Sequence, residues 1–478
     1  MKRFKHNSKS FASVKSSEAA NAEISQMNPD SAGIDIGSRS HFVAIPPHRD
    51  TDVVREFSST TSGLLEICTW LKKNKITTVA MESTGSYWIP VFEILEVHGF
   101  EVYLVNSNTV KNAPGRKTDV LDSQWIQKLH SLGLLTKSFR PQDQCLKLRS
   151  LARQHSLLIE HRSPHVQHMQ KALHEMNIQL ATHIRDITGA TGMRIINAIL
   201  AGERDAEHFA LLVDTRCKYS PKEIADSLVG NYREEHLFSL RQARDLYTYY
   251  SQLIQECENE VEKALKDLVT KKESEKKDDK KCELQDQSPQ KKPKAKKKKT
   301  QKSHFKIPLE EVLSGFCGVD LVTVPGIDQS TALKILAELG GSVDAWKSHK
   351  HFASWLGLCP GNKVSGGKRM SGKTKHCVNK VANLLRMAAN GLWNAKCYLG
   401  AYLRRLSSRK GGAKAITAVA HKLAVIIYKM IKERKSYTEL GEEYYEKTYQ
   451  ERRLRGLVRQ AIDMGYDLVP KASQVAST

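Results

Sequence analysis

The sequence lacks the features of membrane-spanning, disulfide-rich and zinc-ribbon proteins. No run of about 18 apolar residues occurs, which excludes a transmembrane helix. The first residues are basic and rich in serine and have no apolar core segment, so they do not resemble a secretory signal. The nine cysteines are scattered, odd in number and never spaced as CxxC. We therefore expect a chain without membrane association that works in a reducing cytoplasm.

Acidic residues are missing from one long segment of otherwise ordinary composition. Residues 347–432 contain 18 Lys and Arg and no Asp or Glu, yet they also hold enough apolar side chains to fold. A folded segment with this charge repels itself unless a polyanion neutralises it. The formal net charge of the whole chain is +23. A basic surface on a folded region is typical of phosphate-backbone binding, so we predict a nucleic-acid partner.

A second basic stretch is almost free of apolar side chains. Residues 271–302 carry 14 Lys and six acidic residues and cannot bury a core, which predicts a disordered linker. A solvated spacer is the simpler interpretation, and a nonspecific nucleic-acid tether is the alternative. Composition and pattern divide the 478 residues into a disordered basic tail (1–31), a first folded domain (32–142), a helical or coiled-coil region (143–270), the Lys-rich linker (271–306), a basic helical domain (307–436) and a C-terminal helical tail (437–478).

Strand and helix patterns predict an α/β domain followed by mainly α-helical regions. Within residues 32–142 the order is β-β-β-α-β-α-β-α, which indicates a mixed sheet, and the last helix begins with Thr118 as its N-cap. The patterns at 144–178 and 238–270 predict a helical hairpin or coiled-coil arm. Pro164 is expected to kink or break the first of these helices.

Four carboxylates stand where this pattern could bring them together. Asp35 lies within an apolar strand, where burying a carboxylate is costly without a cation or hydrogen bonds, and Glu82 ends a second buried strand. Asp119 and Asp122, three residues apart on a helix, project from one face. Such oxygen ligands suit two divalent cations, which can stabilise the attacking and leaving oxygens of a phosphodiester. Taken singly, each residue has a plainer interpretation, as a helix-dipole partner or a surface residue.

Three sequence blocks around these carboxylates resemble the motifs of the DEDD transposases of insertion sequences. The blocks are AGIDIG, MESTGSYW and GRKTDVLDSQWIQKL. That family includes the Piv-type DNA invertases and the bridge-RNA-guided recombinases. The resemblance implies a RuvC-like RNase H fold for residues of about 32–142, with Mg²⁺ or Mn²⁺ held by a tetrad that matches Asp35, Glu82, Asp119 and Asp122. Arg116 and Lys117 would add phosphate contacts beside the metals.

The basic region contains a glycine-flanked serine, Ser365, followed closely by Lys368 and Arg369. By itself this segment is most simply an ordinary basic loop. The family, however, carries a serine in a similar SGGK-like loop, and the resemblance implies that Ser365 attacks DNA to form a covalent phosphoserine link. Ser371 is the fallback assignment. Lys368 and Arg369 are predicted to hold the scissile phosphate, and further nucleic-acid contacts are predicted at Lys373 and Lys375.

Residues 321–332 have helix-hairpin-helix character. Gly326 permits an unusual backbone angle before a helix start whose free N–H groups could hold a phosphate. A plain turn between two helices is the alternative.

The hypothesis from the sequence is a transposase and recombinase of an insertion sequence that acts on duplex DNA at element ends and target. The resemblance also implies an oligomeric synapse, a dimer or tetramer, a guiding noncoding RNA encoded in the element, and a prokaryotic, nucleoid-associated protein. Two alternatives stay open. One is a Holliday-junction resolvase or nuclease with water as nucleophile, and the other is an inactive nucleic-acid-binding relative.

Overall fold

A computed structural model describes residues 26–83, 85–106, 118–141, 143–215, 217–279, 305, 307–374 and 379–469. The chain divides into two compact units, Met1–Arg140 and Pro141–Thr478. The first contains a five-stranded sheet with helices, and the second is almost entirely helical.

The first unit is built on a mixed sheet in the order β3-β2-β1-β4-β5. Strand β2 runs antiparallel to both β1 and β3, whereas β4 is parallel to β1 and β5 is parallel to β4. Its elements are β1 (Ser31–Ile36), β2 (Ser40–Ala44), β3 (Val54–Ser58), α1 (Thr61–Lys73), β4 (Thr78–Glu82), α2 (Trp88–Val97), β5 (Glu101–Val105) and α3 (Asp119–Ser131). The predicted mixed α/β sheet and the predicted order of elements are confirmed.

The two faces of the sheet differ because side chains alternate along each strand. Ala32, Ile34 and Ile36 of β1 belong to a large apolar core shared with α1 and α2. On the other face a Cβ atom at Gly33 would lie closer than 3.0 Å to the backbone nitrogen of Gln127 and the carbonyl oxygen of Ser123. Gly33 therefore allows α3 to lie directly on the strand.

Replacing Gly33 with Ala is expected to destabilise the first unit, because the new methyl group meets backbone atoms that cannot rotate away. Overpacking of this kind costs about 1–3 kcal/mol. Urea denaturation followed by tryptophan fluorescence measures the change. Gly456→Ala is the matched control, since Gly456 lies in a helix where a Cβ would meet nothing within 4 Å. Equal unfolding midpoints for the Gly33→Ala protein and the wild type would contradict the close-packing argument.

The second unit contains thirteen helices among its described residues, with one short hairpin. They are α4 (Asp143–Glu175), α5 (Leu180–His183), α6 (Ala190–Leu200), α7 (Ala206–Leu211), α8 (Pro221–Asp226), α9 (Glu234–Asp279), α10 (Leu309–Cys317), α11 (Gln329–Leu339), α12 (His349–Trp355), the hairpin strands β6 (Lys363–Ser365) and β7 (Lys368–Ser371), α13 (Lys380–Asn390), α14 (Tyr398–Lys410), α15 (Gly412–Glu433) and α16 (Gly441–Asp463). Among the helices of the described residues, none combines the length and apolar character that a bilayer crossing requires.

Two features of the long helices differ from the expectations. Pro164 lies inside α4, and the helix continues to Glu175, so the predicted break is wrong. Packing of α4 along α9 buries Leu158 and Met169 on either side of the proline, which offsets the lost backbone hydrogen bond. Helix α9 also reaches Asp279, nine residues into the segment expected to be a disordered linker. The linker's remainder, residues 280–304, lies outside the described residues.

A buried ionic cluster joins α11 to α4 within the second unit. Both carboxylate oxygens of Glu338 accept hydrogen bonds, from Arg149 at 2.8 Å and from Arg153 at 2.6 Å. Burial alone would raise the pKa of Glu338, but the hydrogen bonds and charges of the two guanidinium groups outweigh it and lower that pKa. These ion pairs hold the long helix α4 against α11, the helix that precedes the basic segment.

Candidate active site

Two of the predicted carboxylates end neighbouring parallel strands. Gly33 of β1 lies opposite Ala80 of β4. In that register Asp35 and Glu82 follow two residues later on each strand. Ala80 packs against Ile126 of α3, so the alternation along both strands directs Asp35 and Glu82 toward the face that α3 covers. The sheet therefore brings these two carboxylates to one edge and one face.

The other two carboxylates lie in the first turn of α3, which begins after the N-cap Thr118. The side chain of Gln127 hydrogen-bonds Ser31 at the start of β1, whereas Ser123 lies against Gly33. Helix α3 therefore runs antiparallel to β1. Asp119, four residues before Ser123, lies about 6 Å further along the helix axis, level with the end of the strand. The first turn of α3 and the ends of β1 and β4 therefore bring the four carboxylates to the same edge of the sheet.

Electrostatic coupling between the four carboxylates follows from this arrangement. Burial and, after it, the negative charges of Asp119, Asp122 and Glu82 together raise the pKa of Asp35 to about 6, against a backbone hydrogen bond that lowers it. Among the residues that the structure describes, no three His, Cys, Asp or Glu side chains are close enough to hold one metal ion. The tetrad thus concentrates negative charge in one region without a closed coordination shell. Its donors are all carboxylate oxygens, which suit a hard divalent cation.

Ser365 lies at the tip of the β6–β7 hairpin in the second unit. Ser365 pairs with Lys368 across a two-residue turn in which both Gly366 and Gly367 have positive φ angles, of 53° and 75°. Positive φ at both positions of a two-residue turn favours Gly, Asn or Asp, which fits the Gly-Gly pair. Nothing lies within 4 Å of a Cβ built on either glycine, and Ser365 is exposed. The hairpin therefore presents its serine and a lysine at an open tip.

The fallback serine has a different environment. Ser371 pairs with Lys363 at the far end of the hairpin, and its hydroxyl accepts a hydrogen bond from the backbone N–H of Lys373 at 3.2 Å. This bond gives Ser371 a role in holding the base of the hairpin. The geometry therefore favours Ser365 over Ser371 as the more accessible hydroxyl.

Two families of known proteins match the parts of the chain that carry these features. Residues 32–178 match a family model of DEDD transposases of the IS110 type, and residues 320–402 match the model described as transposase IS116/IS110/IS902 family. Together the two matches support a DEDD transposase of the IS110 family. No curated protein matches the sequence. The first match covers the sheet and the tetrad, and the second covers the serine hairpin, so the chain is a DNA transposase.

Three of the predicted nucleic-acid contacts lie outside the described residues, and a fourth, Gly326, precedes a helix start that already has a capping partner. Arg116, Lys117 and Lys375 lie outside the described residues. Gly326 has a φ of 86°, as its predicted turn requires, and a Cβ there would lie 2.8 Å from the carbonyl oxygen of Ala388. The helix start that follows is capped by the carboxylate of Asp328, which accepts from the N–H of Thr331 at 2.7 Å. That negative cap competes with a phosphate, so the role of Gly326 stays a prediction.

A large groove in the second unit of the transposase was not predicted from the sequence. We call it the basic groove, and its volume is about 1790 Å³. It lies between α14 and α15 and extends to the base of the serine hairpin, where Lys373 forms part of its wall. Lys368 is at the other end of the hairpin, at its tip. Its charged and aromatic lining residues are His349, Lys350, Lys373, Tyr398, Tyr402, Arg409, Lys410, Lys414, His421, Lys422 and Tyr437. The spacing of Tyr398, Tyr402 and Leu406 at every fourth residue is the signal that could have revealed it.

Proposed function

We propose that this transposase cuts and rejoins DNA strands with a divalent metal, Mg²⁺ or Mn²⁺, at the D-E-D-D tetrad and with Ser365 as the nucleophile. The observation that carries the proposal is the convergence of Asp35 and Glu82 from adjacent strands with Asp119 and Asp122 from the first turn of α3. The sheet order and the helix on this face support a RuvC-like RNase H fold for the first unit.

The chemistry divides between the two units. Cations bound by the tetrad would neutralise the phosphate and stabilise the attacking and leaving oxygens. The Oγ of Ser365 attacks the phosphorus as the serine proton leaves, and the bond to the leaving sugar oxygen breaks, which gives a phosphoserine link and a free DNA hydroxyl. Attack of a second DNA hydroxyl on that link restores the serine and joins the new strands. Lys368, beside Ser365 at the hairpin tip, would bind the phosphate.

Assembly and guidance complete the proposal. The tetrad and Ser365 belong to different units of the chain, so we propose that the working site is composite and forms within a dimer or tetramer on duplex DNA. We further propose that a noncoding RNA encoded in the element selects the DNA sequences. The 18 basic residues of 347–432, without an acidic residue among them, are consistent with binding the phosphates of both DNA and RNA.

Strand exchange is expected to need both a divalent metal and the copurifying RNA. The purified transposase would be incubated with plasmids that carry the element's ends, after EDTA treatment, RNase treatment or neither. Recombinant plasmid and a covalent protein–DNA adduct should both disappear with EDTA and return with added Mg²⁺. After RNase treatment they should return only when the extracted RNA is restored. Cleavage that leaves free ends and no adduct would instead favour a resolvase that uses water.

A further inference from the structure

The basic groove is too large for a small-molecule site. Its volume of about 1790 Å³ exceeds the ~300–1,000 Å³ that is typical of small-ligand pockets. It extends from the α14–α15 helix pair to Gly372, Lys373 and Thr374 at the base of the serine hairpin. Such a volume, continuous with the hairpin, suits a segment of a polymer.

The charge of the groove is of one sign. Six Lys and Arg side chains and two His line it, and none of the described residues that line it is acidic. Arg404 and Arg405 of α14 are neutralised inside the protein, since Arg404 pairs with Glu442 at 2.6 Å and Arg405 pairs with Glu446 of α16. The cations that line the groove have no acidic side chain among the described lining residues, so their positive charge suits an external polyanion.

Aromatic and aliphatic side chains lie among these charges. The ammonium of Lys422 is 5.2 Å from the ring centre of Tyr398 and 4.7 Å from that of Tyr402. Tyr445 of α16 packs edge-on against both rings, at 5.1 Å and 6.1 Å, and so limits their motion. The remaining wall includes Leu406, which continues the same face of α14.

This mixture distinguishes an unpaired strand from a duplex. A duplex meets a basic surface mainly through its sugar–phosphate backbone, where a tyrosine can offer its hydroxyl but its ring cannot stack on the paired bases. A single strand presents bases that stack on aromatic rings, each worth about 1–3 kcal/mol, together with phosphates for the lysines. Both kinds of contact are available here. Tyr398 and Tyr402, one turn apart on α14, can stack on bases, and Lys422 of α15 can bind a phosphate.

The position of the groove connects it with the reaction. Lys373 lies five residues beyond Lys368, the partner of Ser365 at the hairpin tip. At ~3.3 Å per residue this separation is about 17 Å along the strand. A strand that leaves the groove past Lys373 can therefore follow the hairpin to the serine.

We propose that the basic groove binds a single strand of nucleic acid, with bases against Tyr398 and Tyr402 and phosphates at Lys422 and Lys373, and leads that strand to the serine hairpin. The inference rests on the proposed function, because the strand it holds is one that lies next to the phosphate that Ser365 attacks. DNA and RNA share the chemistry of this contact, and the test separates them.

Fluorescence anisotropy of the full-length transposase with three labelled probes tests the inference. The probes have one sequence, as single-stranded DNA, as single-stranded RNA and as duplex DNA. Tyr398→Ala/Tyr402→Ala should weaken single-strand binding at least tenfold and duplex binding less than about twofold, since two stacked bases contribute more than the 1.4 kcal/mol of a tenfold change. Tighter wild-type binding of DNA than of RNA assigns the groove to the cut strand, and the reverse assigns it to the guide.

Two further variants keep the result interpretable. Tyr398→Phe/Tyr402→Phe retains the rings and their packing on Tyr445 and should retain single-strand affinity. Tyr444→Ala removes an exposed tyrosine of α16 outside the groove and should leave all three affinities unchanged. Equal losses on duplex and single-strand probes, or wild-type affinity in the double Ala variant, would overturn the inference.

Failure of the inference can be told from failure of the proposed function. A wild-type protein that forms the serine adduct while the double Ala variant binds single strands normally refutes the groove alone. A protein whose tyrosine variants lose single-strand binding, but whose wild type never forms an adduct, refutes the serine chemistry and leaves the groove in place.

Discussion

Asp35→Asn should abolish strand exchange while making the metal-free transposase more stable. The folded protein holds the Asp35 carboxylate half-buried beside three other carboxylates, which raises its pKa from 3.8 to about 6. A raised pKa in the folded state means that Asp35 contributes its full stability below pH 3.8, and that this stability is lost as the pH rises through 6. The amide of the Asn variant carries no charge, so the variant keeps its stability as the pH rises. It also lacks the carboxylate that would bind a cation.

The expected gain is largest at alkaline pH. One pKa unit corresponds to about 1.4 kcal/mol, and solvent screening at a half-buried site reduces the two-unit shift to roughly 1–2 kcal/mol. Urea titrations in EDTA at pH 8 should therefore give a higher free energy of unfolding for Asp35→Asn than for the wild type. This difference should vanish near pH 4. Added Mg²⁺ should stabilise the wild type at pH 8 and leave the variant unchanged.

Glu66→Gln provides the matched control for this experiment, because Glu66 is an exposed carboxylate on α1 of the same unit. It should change neither the unfolding midpoint nor strand exchange. Strand exchange at wild-type rates in Asp35→Asn would remove the tetrad from the mechanism, and lower stability of that variant in EDTA would mean that the carboxylates do not repel one another.

The α/β unit was predictable because its elements are encoded locally. The period-2 and period-3.6 patterns of apolar residues, together with the Thr118 cap, predict each strand and helix, and the motifs around Asp35 and Glu82 predict which carboxylates matter. The close approach of α3 to β1 was not predictable from those patterns. It depends on Gly33 facing Gln127, a contact between residues nearly a hundred positions apart.

The structure of the second unit was less predictable because tertiary packing overrides the local sequence preferences there. Pro164 breaks an isolated helix, but α4 has a partner along its length in α9. The basic groove was not predicted from the sequence for a related reason. Arg405 is neutralised by Glu446, a residue 41 positions away on α16, so tertiary packing rather than local sequence decides which cations of α14 keep an uncompensated charge.

Ser365→Ala should eliminate the covalent adduct and reduce strand exchange by a factor of at least ~1,000, as expected when an enzyme loses its nucleophile. The Gly366-Gly367 turn sets the backbone of the hairpin tip, and Ser365 is exposed there, so removal of one hydroxyl should not disturb folding. Adduct formation on labelled plasmid, resolved on denaturing gels, measures the effect. Binding of the same plasmid should be unchanged.

Ser371→Ala separates the two candidate serines. Ser371 holds the N–H of Lys373 at the base of the hairpin, so its loss should loosen that base and slow strand exchange only a few-fold, with the adduct still present. An adduct that persists in Ser365→Ala and disappears in Ser371→Ala would transfer the nucleophile to Ser371. If DNA were hydrolysed equally by the wild type and both variants, water would be the nucleophile, and the exposed tip with Lys368 would then serve to bind the phosphate rather than to attack it.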